Sequence, residues 1–442
     1  MSQPMIDLSV RLLLNLAPWR NATAWRIGFS GGLDSTVLLH LLAHLAKTQS
    51  LPALSAIHVH HGLQAVADAW PEHCRSVCAA LGVPLQIVRV QVQPGASVER
   101  AARDARYQAF TETVQANEVL LTAQHRDDQA ETLLFRLLRG AGVRGLSGMP
   151  RQRPLGKGLL LRPLLDATRV ELEAYAAEHQ LRWVEDPSNQ DRHFSRNFLR
   201  HQVFPVLTSR WPQAMATMAR SAAHLSEALG LLDELAQIDL SQARTAGEFD
   251  WLGLPSLELA ALETLSAARQ RNALSHWLEP LTRLPDTDHW SGWEDLRDAT
   301  GDACPVWRLA DGELHRSGGR VWWLCGRWLR PLPAAGAWQD PVSPLAIPDN
   351  GVLSITGQIP DGPLQIRYRE GGEVMALPGR GHRDLKRLLN ESGVPSFVRG
   401  RLPLLYKEGQ LLAVANLKGL DGGMTGDWHL HWQPLNEDQG LS

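Results

Sequence analysis

The sequence predicts an α/β protein whose N-terminal part is a parallel sheet covered by helices on both faces. Three observations lead there. Apolar runs of five to eight residues alternate with helix-like segments from Trp25 onward. A glycine-rich turn, Ser30-Gly31-Gly32-Leu33-Asp34-Ser35, joins the first apolar run to the first long helical one. His60, His61 and His125 fall, with Ser30, at successive predicted strand ends. Strands and helices alternating at this spacing build parallel sheets, and ligands lie at the carboxyl ends of such strands.

The elements follow in order. Trp25 to Phe29 reads as a strand and Thr36 to Leu45 as a helix. Leu54 to His61 is the next strand, then a helix from Asp68 to Leu81 and a strand from Leu85 to Val90. Ser97 opens a helix that runs to about Gln115. Glu118 to His125 reads as a strand, Asp127 to Arg139 as a helix, and Asp166 to His179 as another. From Pro212 the composition turns to Ala, Leu, Glu and Gln with few β-branched residues, which predicts helices. Residues 305–328 read as a Trp-rich hairpin. Five prolines between Arg330 and Asn350 mark a linker. Short β-like runs separated by glycines follow. The expected division is a catalytic domain at 1–215, a mainly helical domain at 216–330, a Pro-rich linker at 331–350, and a small mixed α/β or β-rich domain at 351–442.

Bulk properties exclude several classes. The 442 residues need more than one domain. No run reaches the length of a membrane span, and the N-terminus lacks a basic opening segment and a cleavage site. Four cysteines in so long a chain fit a reducing cytoplasm. They show neither C-x-x-C nor zinc-ligand spacing, so neither a structural metal nor an iron–sulfur cluster is expected. The net charge of −3 gives no overall sign of a nucleic-acid partner. Locally it differs: from Ile366 to Lys407 nine Lys and Arg, among them Lys386 and Arg387, face four acids. That excess suggests a polyanion contact, against the alternative of a solvated surface.

The turn at Ser30 to Ser35 carries the chemistry. Its glycines let a ligand approach the backbone, and the helix that follows presents unpaired N–H groups to an anion. Ser30 and Ser35 add hydroxyls. Asp34 is out of place in a phosphate cradle unless it holds a divalent metal, Mg2+, or acts at the phosphate. The common kinase P-loop is absent, because Gly156-Lys157 is followed by Gly158 and Arg151 stands where the first glycine belongs.

Three more sets are candidates. Asp128 and Glu131 share one helical face just after His125. They can hold a metal or an ammonium group or take a proton, or they can simply complement the helix dipole. Arg103 and Arg106, with Arg100, offer a phosphate grip or a solvated face. Arg196 and Arg200, four apart at a helix opening, are weak as a pattern, which favours a solvated turn.

The SGGxDS turn resembles the pyrophosphate-binding loop of the PP-loop ATP pyrophosphatases. With HVHHGLQ, ERAARDARYQAF, TAQHRDDQAETLLFRLLRGAG, RPLL, VEDPSNQDRHFSRNFLR and HRDLKRLLNESGVPSFVRGRLPLLY, the chain resembles the tRNA(Ile)-lysidine synthetases. The resemblance implies an N-terminal PP-loop domain and ATP-dependent ligation of lysine to the 2-position of the wobble cytidine in the CAU anticodon of tRNA(Ile). AMP and diphosphate leave, and decoding shifts from AUG to AUA and from Met to Ile. It implies that Ser30, Gly31, Gly32, Leu33, Asp34 and Ser35 bind ATP, with Arg103 and Arg106 on phosphate and Mg2+ near Asp34. Asp34, His125, Asp128 and Glu131 would be catalytic, with the two helix carboxylates meeting free L-lysine. Arg196, Arg200, Lys386 and Arg387 would meet the tRNA or nucleotide. A PP-loop tRNA thiolase, a small-molecule adenylating ligase and a non-catalytic RNA-binding module are the alternatives. Oligomeric state stays open, a homodimer included.

Overall fold

The structure is a computed structural model that describes residues 7–62, 65–92, 98–300, 303–424 and 426–435. The predicted helix start at Ser97 and the Leu63-Gln64 pair of the HVHHGLQ run lie outside these residues. The chain divides into two compact units, Met1–Gly230 and Leu231–Ser442.

The first unit carries a six-stranded sheet. Its strands are β1 (Ala24–Gly28), β2 (Ala53–His60), β3 (Leu85–Arg89), β4 (Glu118–Leu121), β5 (Gln152–Leu155) and β6 (Gly158–Leu161), in the order β3-β2-β1-β4-β6-β5. All neighbours are parallel except β5, which folds back on β6 through a two-residue turn at Gly156-Lys157. Gly156 has φ +55°, and a β-carbon there would sit 2.8 Å from the Thr111 carbonyl, so this turn accepts only glycine. Trp25 and Ile27 of β1 and Val119, Leu120 and Leu121 of β4 are buried, as central parallel strands require. Arg26 bridges the two strands at their start by a fork of hydrogen bonds to Glu118, at 2.6 and 2.9 Å.

Helices cover the sheet: α1 (Leu8–Leu16), α2 (Leu33–Leu45), α3 (Trp70–Leu81), α4 (Val98–Thr113), α5 (Arg126–Leu137), the short α6 (Val143–Leu146) and α7 (Arg169–Glu178). Val37, Leu38, Leu39, Leu41 and Leu42 of α2 are all buried, which anchors the helix behind the glycine turn. The sheet order reverses direction between β1 and β4. A doubly wound sheet opens a crevice at such a point. The glycine turn leaves β1, and the His125 segment leaves β4, so both flank that crevice. The strand expected at Glu118 to His125 stops at Leu121, which leaves residues 122–125 as the loop that enters α5.

Beyond α7 come α8 (Ser195–Phe198), a π-helical turn at Leu199–Val203, α9 (Phe204–Arg210) and the 30-residue α10 (Ala214–Ala243). The second unit adds α11 (Leu259–Glu263), α12 (Ala267–Leu278) and α13 (Ser291–Asp298). These pack on a four-stranded sheet of β7 (Ser256–Glu258), β8 (Val306–Arg308), β9 (Gly312–Ser317) and β10 (Arg320–Cys325). The middle region is therefore helix and sheet together. Its strands are too short for periodicity to reveal, apart from the β9–β10 hairpin.

The C-terminal part is β-rich, with a six-stranded and a three-stranded sheet. The residues expected as a linker hold two strands of it, Ala337–Trp338 and Leu345–Ile347. Trp338 and Ile347 are buried, and the prolines fall between the strands, where no ladder hydrogen bond is lost. The abundance of tryptophan has a physical use here. Trp293, Trp307, Trp322, Trp323, Trp328, Trp338, Trp428 and Trp432 are buried in the cores of this unit. No helix among the described residues is long and apolar enough to cross a membrane.

Candidate active site

The glycine turn is held from within. Ser30 Oγ and Ser35 Oγ lie 3.0 Å apart, Ser35 Oγ donates to the Gly32 carbonyl at 3.0 Å, and Thr36 Oγ1 donates to the same oxygen at 2.9 Å. Gly31 has φ +87°, and a β-carbon would meet Val184 at 3.1 Å and Cys74 Sγ at 3.2 Å. The Gly31 carbonyl accepts from Val184 N–H at 2.9 Å, which ties the turn to the segment before Glu185. Gly32 caps α2 with extended backbone, so the N–H groups of the first helical turn face outward as an anion site.

Asp34 sits in that first turn. Arg169 Nη1 donates to both its oxygens, at 2.9 and 3.0 Å, and His125 Nε2 lies 3.8 Å away. Burial raises the Asp34 carboxyl above its ordinary pKa, against the pull of His125 and Arg169. Arg169 is itself fixed by Glu173 at 2.9 Å, and its backbone N–H donates to Asp127 at 3.1 Å.

On the other side of the crevice, His125 precedes α5 and is buried. Its N–H donates to Asp128 Oδ2 at 3.1 Å, and its Nε2 lies 3.5 Å from the same oxygen. His125 Nδ1 has no hydrogen-bond partner among the described residues. Glu131 is 1% exposed, and Arg200 takes both its oxygens, at 2.6 and 3.0 Å. Arg200 also reaches Asp128 Oδ1 at 3.2 Å. Burial raises the Glu131 carboxyl, and the Arg200 hydrogen bonds oppose that rise. Arg196 donates to Thr132 at 3.1 Å and stands 3.9 Å from Glu131. The result is an alternation of basic and acidic side chains, Arg169–Asp34–His125–Asp128–Arg200–Glu131–Arg196, along the crevice wall. Each buried charge meets an opposite one, as burial demands.

The candidates from the sequence sort clearly. Ser30 to Ser35, His125, Asp128, Glu131, Arg196 and Arg200 come together. Arg106 is half-buried, and its charge, after burial itself, holds His61 down to about 4. Arg103 is turned onto Tyr107, 4.9 Å from the ring centroid. Lys386 and Arg387 belong to the second unit, on a helix at Leu385–Glu391. Arg169 carried no signal in the sequence, because its partner lies 135 positions away. Cys74 and Cys78 are buried, with thiols pushed by burial up to about 12 and about 11.

Mg2+ takes one or two carboxylates and completes its shell with phosphate and water. Among the described residues no group of three His, Cys, Asp or Glu converges on a cation position. Asp34, partly exposed beside the turn, meets that smaller demand once Arg169 releases it.

Strand, SGGxDS turn, helix and a charged crevice at the β1/β4 reversal define an ATP-binding PP-loop domain, and the PP-loop domain family matches residues 6–207. The TilS substrate binding domain matches residues 257–322, and the TilS substrate C-terminal domain matches residues 364–432. The chain is similar over its whole length to proteins named tRNA(Ile)-lysidine synthase. It is 74% identical to that of Pseudomonas fluorescens, with all of both chains covered. It is 65% identical to that of Pseudomonas syringae pv. tomato, covering 99% of this chain and 98% of the other. It is 62% identical to that of Pseudomonas aeruginosa, covering 99% and 100%. The chain belongs to the tRNA(Ile)-lysidine synthase family.

Proposed function

We propose that this chain joins lysine to the wobble cytidine of a tRNA(Ile) with a CAU anticodon, splitting ATP to AMP and diphosphate. The charge alternation beside the anion-binding turn carries this reading, because it sets a place for phosphate and a place for an amine on facing sides of one crevice. The cytosine 2-carbonyl oxygen is a poor leaving group. Its attack on the α-phosphate forms an adenylated cytidine and expels diphosphate. The lysine ε-amine then attacks the activated carbon, and AMP leaves.

The residues divide the work. The turn from Ser30 to Ser35 and the first N–H groups of α2 hold the phosphates. Asp34 would hold Mg2+, which would supply charge neutralisation at the phosphates. Arg106 and Arg196 stabilise charge as it builds there. Lysine arrives protonated, with a reference pKa of about 10.4, and must lose a proton before attack. Asp128, 16% exposed and held by Arg200 through one hydrogen bond, suits the ammonium better than Glu131, which is 1% exposed and held by two. Glu131 then serves to fix Arg200, and His125, between Asp34 and Asp128, orients both carboxylates. The substrate-binding and C-terminal domains grip the rest of the tRNA, through Lys386 and Arg387 among others. A single-stranded anticodon loop lets the base leave its stack at low cost.

The test is diphosphate release. Release that needs tRNA with CAU, and product formation that needs lysine, support the reading. Turnover without tRNA, or with a sulfur donor in place of lysine, overturns it.

A further inference from the structure

Beside the adenylation crevice, arginines converge on one tyrosine. Tyr107 stands on α4, and the guanidinium carbons of Arg103 and Arg153 lie over its ring, 4.9 and 4.8 Å from the centroid. Arg162, just after β6, is 3% exposed and faces the Tyr107 hydroxyl. Its Nη1 donates to the Pro150 carbonyl at 2.6 Å, and its Nε has no partner among the described residues. Arg136 on α5 is clamped by the carbonyls of Gly145 and Gly148 at 2.7 and 2.8 Å. Among the described residues, no carboxylate pairs with Arg136, Arg153 or Arg162.

This contrasts with the crevice itself, where Arg169, Arg196 and Arg200 each meet an acid. Burial and then the neighbouring guanidiniums of Arg103 and Arg196 hold Arg136 below the usual arginine range. Burial alone would raise the Tyr107 phenol, yet Arg103 and Arg162 outweigh it and lower it. Cation–π contact with the ring offsets part of such repulsion. A cluster of fixed like charges focuses an opposite field on whatever ligand completes it.

The position selects the ligand. The cluster's outer member, Arg153, stands on β5, the edge strand, three strands from β1. At the usual strand spacing that strand runs about 14 Å, measured across the sheet, from the one that leads into the ATP-phosphate turn. The side toward the crevice is Arg196, already beside Glu131. We propose that Arg103 and Arg153, stacked on Tyr107 and backed by Arg136 and Arg162, form a phosphodiester subsite for the RNA loop that carries the target base. Arg103 thus serves the RNA backbone and not ATP. The planar guanidiniums are fixed by the ring beneath them and meet phosphate oxygens in bidentate fashion. The inference rests on the tRNA reading above.

The experiment compares wild type with Arg153→Gln, Arg153→Lys and Arg103→Gln. Binding of a labelled anticodon stem–loop is followed across a salt series, and KM for tRNA and for ATP is taken from diphosphate release. Thermal melting confirms that each variant is folded. Arg153→Gln and Arg103→Gln each weaken stem–loop binding severalfold and lower the salt slope by about 0.7, the value for one neutralised single-strand phosphate. KM for tRNA rises while KM for ATP stays. Arg153→Lys recovers most of the slope. Stem–loop binding and slope unchanged in both Gln variants overturn the subsite, and a rise in KM for ATP with RNA binding unchanged assigns the cluster to the nucleotide instead. If the wild type releases diphosphate without tRNA, the tRNA reading itself has failed and the subsite falls with it.

Discussion

The crevice of the first unit and the basic stretch of the C-terminal part both carry many charges, and they hold them differently. In the crevice, Asp34, Asp128 and Glu131 are each locked to an arginine, with Glu131 1% exposed. In the C-terminal part, Arg380 and Arg387 lie on the surface, and both lean on Glu391 at 3.5 and 2.9 Å. Buried pairs fix a geometry, because separating them leaves a charge without solvent. Exposed pairs cost little to open and are screened by salt. One arrangement suits chemistry at a point, and the other suits a long polyanion met in any of several registers.

Substitutions can break this contrast. The largest effect is expected from Asp34→Ala. Diphosphate release should fall by roughly 10²–10³-fold, the scale of losing one preorganised electrostatic group, while tRNA affinity holds. Lysine incorporation that survives the change removes Asp34 from the chemistry. Next comes Glu131→Ala, which leaves Arg200 with Asp128 alone. Thermal or denaturant unfolding should show a loss of about 2–3 kcal/mol, less than the roughly 3–5 of a wholly buried pair because Arg200 keeps some exposure. An unchanged melting curve would mean that the crevice pairs are no firmer than surface ones.

Replacing both Lys386 and Arg387 with Ala should leave stability within about 0.5 kcal/mol. It should reduce tRNA affinity and the salt slope, by about 0.7–0.9 for each phosphate left without its cation. Equal affinity across the salt series would take this helix off the RNA. The smallest effect concerns His61, whose imidazole is held down to about 4, by burial first and then by Arg106. Its folded value lies below the unfolded one near 6.5. Its contribution to stability is therefore complete above about 6.5 and is lost as pH falls toward 4. Ring-proton NMR should show a midpoint near 4, moving upward in Arg106→Gln. A midpoint near 6.5 in the wild type refutes that environment.

What the sequence revealed was local. The glycine turn, the strands around it and the i, i+3 spacing of Asp128 and Glu131 are patterns within a few residues, and chemistry reads them directly. Arg196 and Arg200 were visible only as two charges at a helix opening. Their meaning comes from Glu131, 69 positions before Arg200. Arg169 and Arg153 left no trace, and Tyr107 and Arg162 stood in two separate motifs, ERAARDARYQAF and RPLL, that only chain folding brings together. The sheet of the middle region escaped for the same reason: β7 has three residues, and its partner β10 lies some sixty positions on. The prolines at 331–350 suggested a tether because they flank strands of only two and three residues, which join two different sheets.

The π-helical turn at Leu199–Val203 places one residue more than an α-helix would in the same stretch. Arg200 stands within it. Removing one residue there would let regular i→i−4 bonding close with the turns before and after nearly in place, so the displacement would fall on the residues of the π-turn itself. The helix would be sound, its composition almost unchanged, and the arginine that answers Glu131 would be out of phase with it. In genetic terms this is a frame within a helix: a one-codon loss there would keep the helix and displace the arginine that the acid needs.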